Sequence, residues 1–374
     1  MIKIGIDISL LSKKLTGVGV YIKEMLKYFS EYDEINQYFL YSNDEIPVNY
    51  ILPQRSILRV KLCNPHLKWQ VLYLPNMIRE DDLDVYWEPN HCIPIMPKGP
   101  KYIVTVHDLA AYLYPQYASR KTVLINRLFL HRTLERADKV IAISKSTKND
   151  IVNIFNIDKK QIFVIYNGDS IYNEKTEYNL EEWKKVKNKY ALNKFFLYVG
   201  NVHPRKNISI IIRAYKKYCT KIKEPFQLLI AGDFSWNTKE IEQEIAEFPY
   251  EGKIIVTGYV SDEELKYLYK YAECLVFPSR YEGFGLPILE AMSVGTRVIT
   301  SNTSSMPEVA GGAALYLNDL DSYNELEILL EKIQNMSQND KEIMINAGYI
   351  QSQKFSRRKC ALAILKLFGD ANNE

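Results

Sequence analysis

The sequence has little of several things that commonly announce a function. Its five cysteines (Cys63, Cys92, Cys219, Cys274 and Cys360) are scattered through 374 residues, and no CxxC pair occurs. That argues against a disulfide framework or a zinc knuckle and fits a reducing, cytoplasmic setting. No apolar run approaches the roughly 18 residues of a membrane span. The opening "MIKIGIDISLL" is too short, and too polar beyond Leu11, to read as a signal peptide. Charge of one sign is lacking as well. The net charge is +3, too small to argue for nucleic acid as a partner. The excess sits in the first half, where residues 1–180 hold 23 Lys+Arg against 20 Asp+Glu. It gives a weak suggestion of peripheral contact with an anionic lipid surface. Internal repeats and low-complexity tracts are absent, and so is any compelling metal site. Asp82/Asp84 and Asp319/Asp321 both read D-x-D, but one pair lies in the charged run "REDDLD" and the other in the turn "NDLD", so both read as surface features.

What is present is a regular alternation. With 374 residues and 47% hydrophobic content, two domains are expected. "IKIGIDIS", "QYFLYSN", "DVYWEPN", "KYIVTVHDL", "KVIAISKS" and "IFVIYNG" read as buried strands, with helical patterns such as "VYIKEMLKYFSEY" and "LINRLFLHRTLERAD" between them. Ser144 or Ser146 is placed to cap the helix "TKNDIVNIF". A polar stretch over 169–179 reads as a linker. After the charged helix "LEEWKKVKNKY" the pattern restarts: "FFLYVGN", "FQLLIAGD", "KIIVTGY", "CLVFPS" and "RVITS" as strands, with helices between them. Continuous apolar strands alternating with helices predict α/β domains with parallel sheets covered on both faces. The expected division is residues 1–170, joined by a last amphipathic helix over 356–374, and residues 171–355. In doubly wound sheets ligands bind at the carboxyl ends of strands, so a cleft between two such domains is the expected site.

Four motifs stand at such ends. "TGVGVYI" offers Gly17 and Gly19 in a loop before a helix. The third glycine of a dinucleotide fingerprint is replaced by Ile22, so a tight strand-to-helix turn explains it as well as backbone approach to a phosphate or sugar. "TVHDL" sets His107 and Asp108 at a strand end, where Asp108 could orient the ring or cap the next segment. "VGNVHPRKN" brings Arg205 and Lys206 just after a strand. A guanidinium fork beside a point charge suits a diphosphate, while an ordinary solvated pair is the plainer account. "FPSRYEGFGLPILEAM" is the most informative. Gly283 and Gly285 let backbone approach a ligand, Pro287 suits the first helical position, and the N–H groups of Gly285 and Leu286 are left to meet an anion. Glu282 lies before that helix and Glu290 about one turn inside it. Each carboxylate can accept from two vicinal hydroxyls, as a sugar presents them, although both acids also suit a helix start for electrostatic reasons alone.

These residues carry a resemblance. Glu282 and Glu290 match the E-x7-E motif of the family 4 retaining glycosyltransferases of the GT-B fold. The block from "YEGFGLPILEAM" to "GGAALYLND" resembles that family almost throughout. "GVGVYIKEM", "VTVHDLAAYLYPQ", "ADKVIAISKST", "VIYNG", "VGNVHPRKN", "LLIAGDFSW" and "VTGYVSDEELKYLY" are similar to it in the same order, over about residues 2–360. The resemblance implies two Rossmann-like domains facing across a cleft, with the last helix returning to the first domain. It implies transfer of a hexose from a nucleotide diphosphate donor with retained anomeric configuration and no metal or other cofactor. The first domain would meet the acceptor, a glycan or lipid-linked glycan at the inner membrane face, and the second would bind the donor. "PRKN" and "AGDFSW" are most like branches that build bacterial O-antigen, capsule or exopolysaccharide, with mannose from GDP-mannose the best match.

On this reading His107, Arg205, Lys206 and Glu282 are catalytic. Gly17, Gly19, Asn201, Val260, Gly283, Phe284, Gly285, Leu286 and Glu290 line the donor, while Glu88, Asn90 and Asp108 stand on the acceptor side. Asn201 replaces a frequent Arg or Thr, Glu88 a frequent His or Gly, and Arg297 a frequent Pro. The alternatives are a nucleotide-sugar epimerase or hydrolase on the same fold, or a non-catalytic nucleotide-sugar-binding subunit.

Overall fold

The computed structural model describes residues 1–372 except 14, 16, 92, 94, 169–171, 173–175, 236 and 237. Six positions of the expected linker, Thr16 of the glycine motif and Trp236 of "AGDFSW" therefore lie outside the described residues. The chain forms two units, Met1–Gly168 with Phe355–Glu374, and Asp169–Lys354.

The first unit is built on seven parallel strands: β1 (Lys3–Asp7), β2 (Gln37–Ser42), β3 (Ser56–Val60), β4 (Val85–Glu88), β5 (Lys101–Val106), β6 (Lys139–Ala142) and β7 (Ile162–Val164), in the order β3-β2-β1-β4-β5-β6-β7. The central strands are apolar on both faces because both faces are covered. Ile4, Ile6 and Trp87 pack into one core with Met25, Phe29, Ile364 and Phe368, while Tyr86, Val104 and Val140 pack into the other with Trp69, Leu130 and Ile151. The last helix, Arg357–Asn372, belongs to the first core. Phe368 is fully buried between Phe29 and Trp87, with ring centroids at 5.7 and 5.9 Å, and Arg357 pairs with Glu24 at 3.3 Å.

The second unit repeats the scheme with six parallel strands: β8 (Phe195–Val199), β9 (Gln227–Ala231), β10 (Ile254–Gly258), β11 (Cys274–Phe277), β12 (Val298–Ser301) and β13 (Leu315–Leu317), ordered β10-β9-β8-β11-β12-β13. In each sheet the winding reverses once, between β1 and β4 and between β8 and β11. Those reversals are where a doubly wound sheet opens a crevice at its carboxyl edge.

Several elements differ from expectation. β3, β13 and the helices Leu74–Asp81, Tyr323–Asn335 and Gln338–Ser352 carry no expected counterpart. β3 is an edge strand whose Ile57, Leu58 and Val60 stay exposed, so it has neither a buried run nor a clean alternation to betray it. Gly17 and Gly19 are not in a loop: both stand in the first turn of the helix Gly17–Tyr32. Gly19 is small because a Cβ there would come 3.0 Å from the Leu15 side chain. The helix expected to start at Pro287 starts at Leu286, which puts Pro287 second. That N–H is unpaired in any helix, so the proline still costs nothing. Ser144, not Ser146, caps the helix Lys145–Phe155, accepting from Thr147 N. No described helix is long and apolar enough to cross a membrane.

Burial of the last helix against the first sheet makes a direct prediction. Phe368→Ala should lower the unfolding free energy by about 3–5 kcal/mol, read as a lower urea midpoint. A midpoint equal to wild type would mean that the helix does not dock on that core.

Candidate functional site

The reversal in the second sheet brings two motifs together. β8 and β11 are hydrogen-bonded neighbours. The segment after β8 carries Arg205 and Lys206 on a short 3-10 turn, Pro204–Lys206, opened by His203, whose Nδ1 accepts from Arg205 N at 3.2 Å. The segment after β11 carries Ser279 through Leu286. Arg280 N donates to Arg205 O at 2.9 Å, which binds the two segments by backbone.

Glu282 is the centre of this junction. It is buried, 9% exposed, and accepts from Lys206 Nζ at 2.5 Å and from Ser279 Oγ at 2.6 Å through Oε1. Its Oε2 lies 3.3 Å from Arg205 Nη1, which also donates to Tyr281 O. Lys206 sits over the Phe277 ring, 5.1 Å from its centroid. Burial alone would push the Glu282 carboxyl up. The Lys206 and Arg205 charges and the Lys206 and Ser279 hydrogen bonds outweigh it and hold the group below the ordinary carboxylate range. The backbone is pinned as well, since Glu282 O accepts from Ser304 Oγ at 2.5 Å and Ser305 Oγ at 2.8 Å. Gly283, Phe284 and Gly285 continue the buried segment. Gly285, at φ +108°, opens the helix Leu286–Ser293 with no side-chain cap, so the dipole and N–H groups of that first turn point from the same junction.

Glu290 lies one turn further along that helix and accepts from the buried Tyr269 Oη at 2.6 Å. Burial first, and then the Glu290 charge, push the Tyr269 hydroxyl far up, so it is a fixed donor. Asn201 and Val260 stand just beyond β8 and β10 on the same carboxyl edge. Tyr198 Oη donates to Asn201 O at 3.0 Å, and Val260 is buried. Arg297, buried beside Cys274, bonds Glu273 Oε2 at 2.7 Å and Ile333 O at 2.9 Å. It is part of the core, where a proline could make neither bond.

In the first unit the same edge carries the other candidates. His107 follows β5 and is buried, and its Nε2 lies 2.7 Å from Pro89 O. Desolvation, only partly offset by that bond, lowers its pKa to about 4. The ring is therefore neutral at pH 7 with Nε2–H donating. Asp108 caps rather than orients: Ala110 N donates to its Oδ1 at 2.9 Å, and the ring is aimed by the Pro89 carbonyl instead. Glu88, at the end of β4, is almost fully buried, and Asn90 N donates to its Oε1 at 3.0 Å. Burial and then the Asp7 charge push the Glu88 carboxyl well above the usual range. Asp7 itself, at the end of β1, accepts from Trp69 Nε1 at 3.1 Å and from Ser9 N at 2.8 Å. Among the described residues no three or more His, Cys, Asp and Glu side chains gather as a metal site.

Ser279, Ser304, Ser305, Tyr269 and Asp7 were not singled out from sequence. Ser279 had only its nearness in sequence, three residues before Glu282, as a signal. Tyr269 had none, because Glu290 is 21 residues away, and nothing local announced the bond of Asp7 with Trp69, 62 residues away.

Two family models match the chain: "Glycosyl transferases group 1" over residues 179–350 and "Glycosyltransferase Family 4" over residues 15–168. The O-antigen chain mannosyltransferase B of Escherichia coli is 29% identical over 95% of this chain and 96% of its own. The O-antigen chain mannosyltransferase RfbU of Salmonella typhimurium is 31% identical over 62% of this chain and 60% of its own. Among solved structures, Anabaena Alr3699/HepE in complex with UDP and glucose superposes with a TM-score of 0.75 at 17% identity, covering 99% of this chain and 100% of that one. WaaG, a glycosyltransferase involved in lipopolysaccharide biosynthesis, superposes with a TM-score of 0.74 at 13% identity, covering 98% and 99%. At these identities the structural likeness concerns the fold.

The His107 environment can be tested directly. Its imidazole resonances should stay those of a neutral ring from about pH 8 down to about pH 5 and shift only near pH 4. A midpoint near the ordinary histidine value would mean that the ring is not desolvated as its burial requires.

Proposed function

We propose that this chain, which belongs to the family 4 glycosyltransferases of the GT-B fold, transfers a hexose from a nucleotide diphosphate sugar to a glycan acceptor in surface polysaccharide synthesis. The observation that carries this reading is the pairing of Arg205 and Lys206 with one buried carboxylate, Glu282, at the reversal of the second sheet. Two cations beside an uncapped helix start suit a diphosphate. Arg205, Lys206 and the first-turn N–H groups would stabilise the charge that develops on the departing diphosphate. Glu282 would hold hexose hydroxyls, and Glu290, aimed by Tyr269, the ribose.

The donor sugar we favour is mannose, from GDP-mannose. The support is the mannosyltransferase names of the curated relatives. The acceptor we favour is a lipid-linked glycan, met at the cytoplasmic face of a membrane. Among the described residues we assign none as a covalent nucleophile, and we favour attack on the same face from which the diphosphate leaves. The C1–phosphate oxygen bond breaks, the acceptor oxygen bonds C1 on that face, and the acceptor proton passes to the leaving phosphate oxygen. Configuration is then retained. His107 in the first unit, neutral and with Nε2 committed to Pro89, would act on the acceptor side through its carbonyl or Nδ1 rather than as an acid. Because Arg205 and Lys206 can supply the positive charge, we expect no metal requirement.

Lys206→Ala should cut turnover with donor and acceptor by about 100-fold or more; wild-type turnover would remove Lys206 from the reaction. Glu290→Ala should weaken donor binding in calorimetry, and unchanged affinity would reject the ribose role. In a thermal-shift panel GDP should raise the melting temperature more than UDP or dTDP; the reverse order would reassign the donor.

A further inference from the structure

The motif "TGVGVYI" holds one residue that the reading above leaves unused, Tyr21. It stands in the second turn of the helix Gly17–Tyr32 and is buried, 3% exposed. Its ring meets the His107 imidazole edge to face, with centroids 4.9 Å apart and planes at 86°. At that distance and angle aromatic rings attract through their quadrupoles. Tyr21 also meets the Trp87 ring at 6.0 Å and 69°. Trp87 is a fixed support. It is fully buried in β4, its Nε1 donates to Thr105 Oγ1 on β5 at 2.9 Å, and Phe29 and Phe368 pack against it. Tyr21, Trp87 and Cys360 of the last helix share one core. Burial pushes the Tyr21 hydroxyl far above its ordinary range, so the ring beside His107 is neutral.

His107 needs a constraint of this kind. The bond between its Nε2 and Pro89 O, at 2.7 Å, holds one atom of the ring. A planar ring held at one atom can still turn about that bond. A second ring set perpendicular to it opposes the turn, so the two contacts together fix the place and the plane of the imidazole. The Tyr21 ring also keeps water from it. The titratable groups that face His107 are His91 and Asp108, which act on its protonation in opposite directions. Desolvation outweighs both. Gly17 lies one turn before Tyr21 on the same helix face, and a Cβ there would meet nothing within 4 Å. The helix start therefore packs Tyr21 into the core while the position one turn before it stays open.

We propose that Tyr21 is a positioning residue for the reaction, its ring holding the His107 imidazole in the plane in which His107 acts on the acceptor. The inference rests on the acceptor-side role proposed for His107, while the ring contact itself stands apart from that role.

The test uses the full chain and two variants, Tyr21→Leu and Tyr21→Phe. The His107 imidazole resonances, assigned by their loss in His107→Gln, are titrated in each. In Tyr21→Leu the midpoint should climb from about 4 to about 5 or higher, because water reaches the ring. With GDP-mannose and a soluble mannose-terminated oligosaccharide, kcat should fall about 10-fold. Donor affinity and stoichiometry in calorimetry should stay those of wild type, which counts the folded sites. Tyr21→Phe keeps the ring and should keep both the midpoint and kcat. If Tyr21→Leu does not fold, Tyr21→Met takes its place with the same expectations. The proposal is overturned if the leucine variant keeps the wild-type midpoint, if it keeps the wild-type kcat, or if Tyr21→Phe loses as much as Tyr21→Leu. A wild type that transfers no mannose would fail the transferase reading alone, and the titration would still decide whether Tyr21 holds His107.

Discussion

The second unit depends on one interaction, the clamp of Lys206 and Arg205 on the Glu282 carboxylate. Placing a carboxylate where only 9% of the residue reaches solvent is unfavourable unless opposite charge and hydrogen bonds meet it. Here both cations and Ser279 Oγ do so, while two serine hydroxyls hold the Glu282 backbone carbonyl. The clamp joins the segments that follow β8 and β11, the two strands at which the sheet reverses its winding. A crevice at that position is set by topology, and the clamp decides what chemistry lines it. It also explains how two cations can stand together there without a ligand, since the acid between them neutralises most of their repulsion.

The first unit is wound the same way but is polar in another manner. Its reversal lies between β1 and β4, whose carboxyl ends hold Asp7 and Glu88 rather than cations. Burial and the Asp7 charge keep a proton on Glu88 to higher pH than usual, and His107 is kept neutral. A site edge with a carboxyl that keeps its proton to higher pH than usual and a neutral imidazole presents hydroxyl-compatible donors and acceptors with little charge. One architecture thus carries a cationic junction in one unit and a largely uncharged polar edge in the other, which suits a diphosphate and a sugar hydroxyl respectively.

Much of this was legible in the sequence, for physical reasons. Strands buried on both faces read as unbroken apolar runs, so "FFLYV", "QLLIA" and "CLVF" declared a parallel sheet. Glu282 was legible because a carboxylate inside a buried, glycine-spaced segment needs a partner, but its pairing with Arg205 and Lys206 was not, since the sequence assigned those cations to a diphosphate. What escaped was of two kinds. Edge elements such as β3 and β13 lack a buried run. Supporting side chains such as Tyr269 and Asp7 owe their roles to residues 21 to 81 positions away, a relation that no local spacing encodes. Gly17 and Gly19 mark a limit of motif reading, because a glycine pair before a helix looks the same as one inside its first turn.

The account stands or falls on where the donor diphosphate binds. The most direct measurement is a crystal structure of the full chain with GDP-mannose. The account predicts the diphosphate within hydrogen-bond reach of Lys206 Nζ, the Arg205 guanidinium and the N–H groups that follow Gly285, with the ribose on Glu290. A diphosphate bound elsewhere, with the Lys206–Glu282 clamp untouched and no phosphate near it, would contradict it.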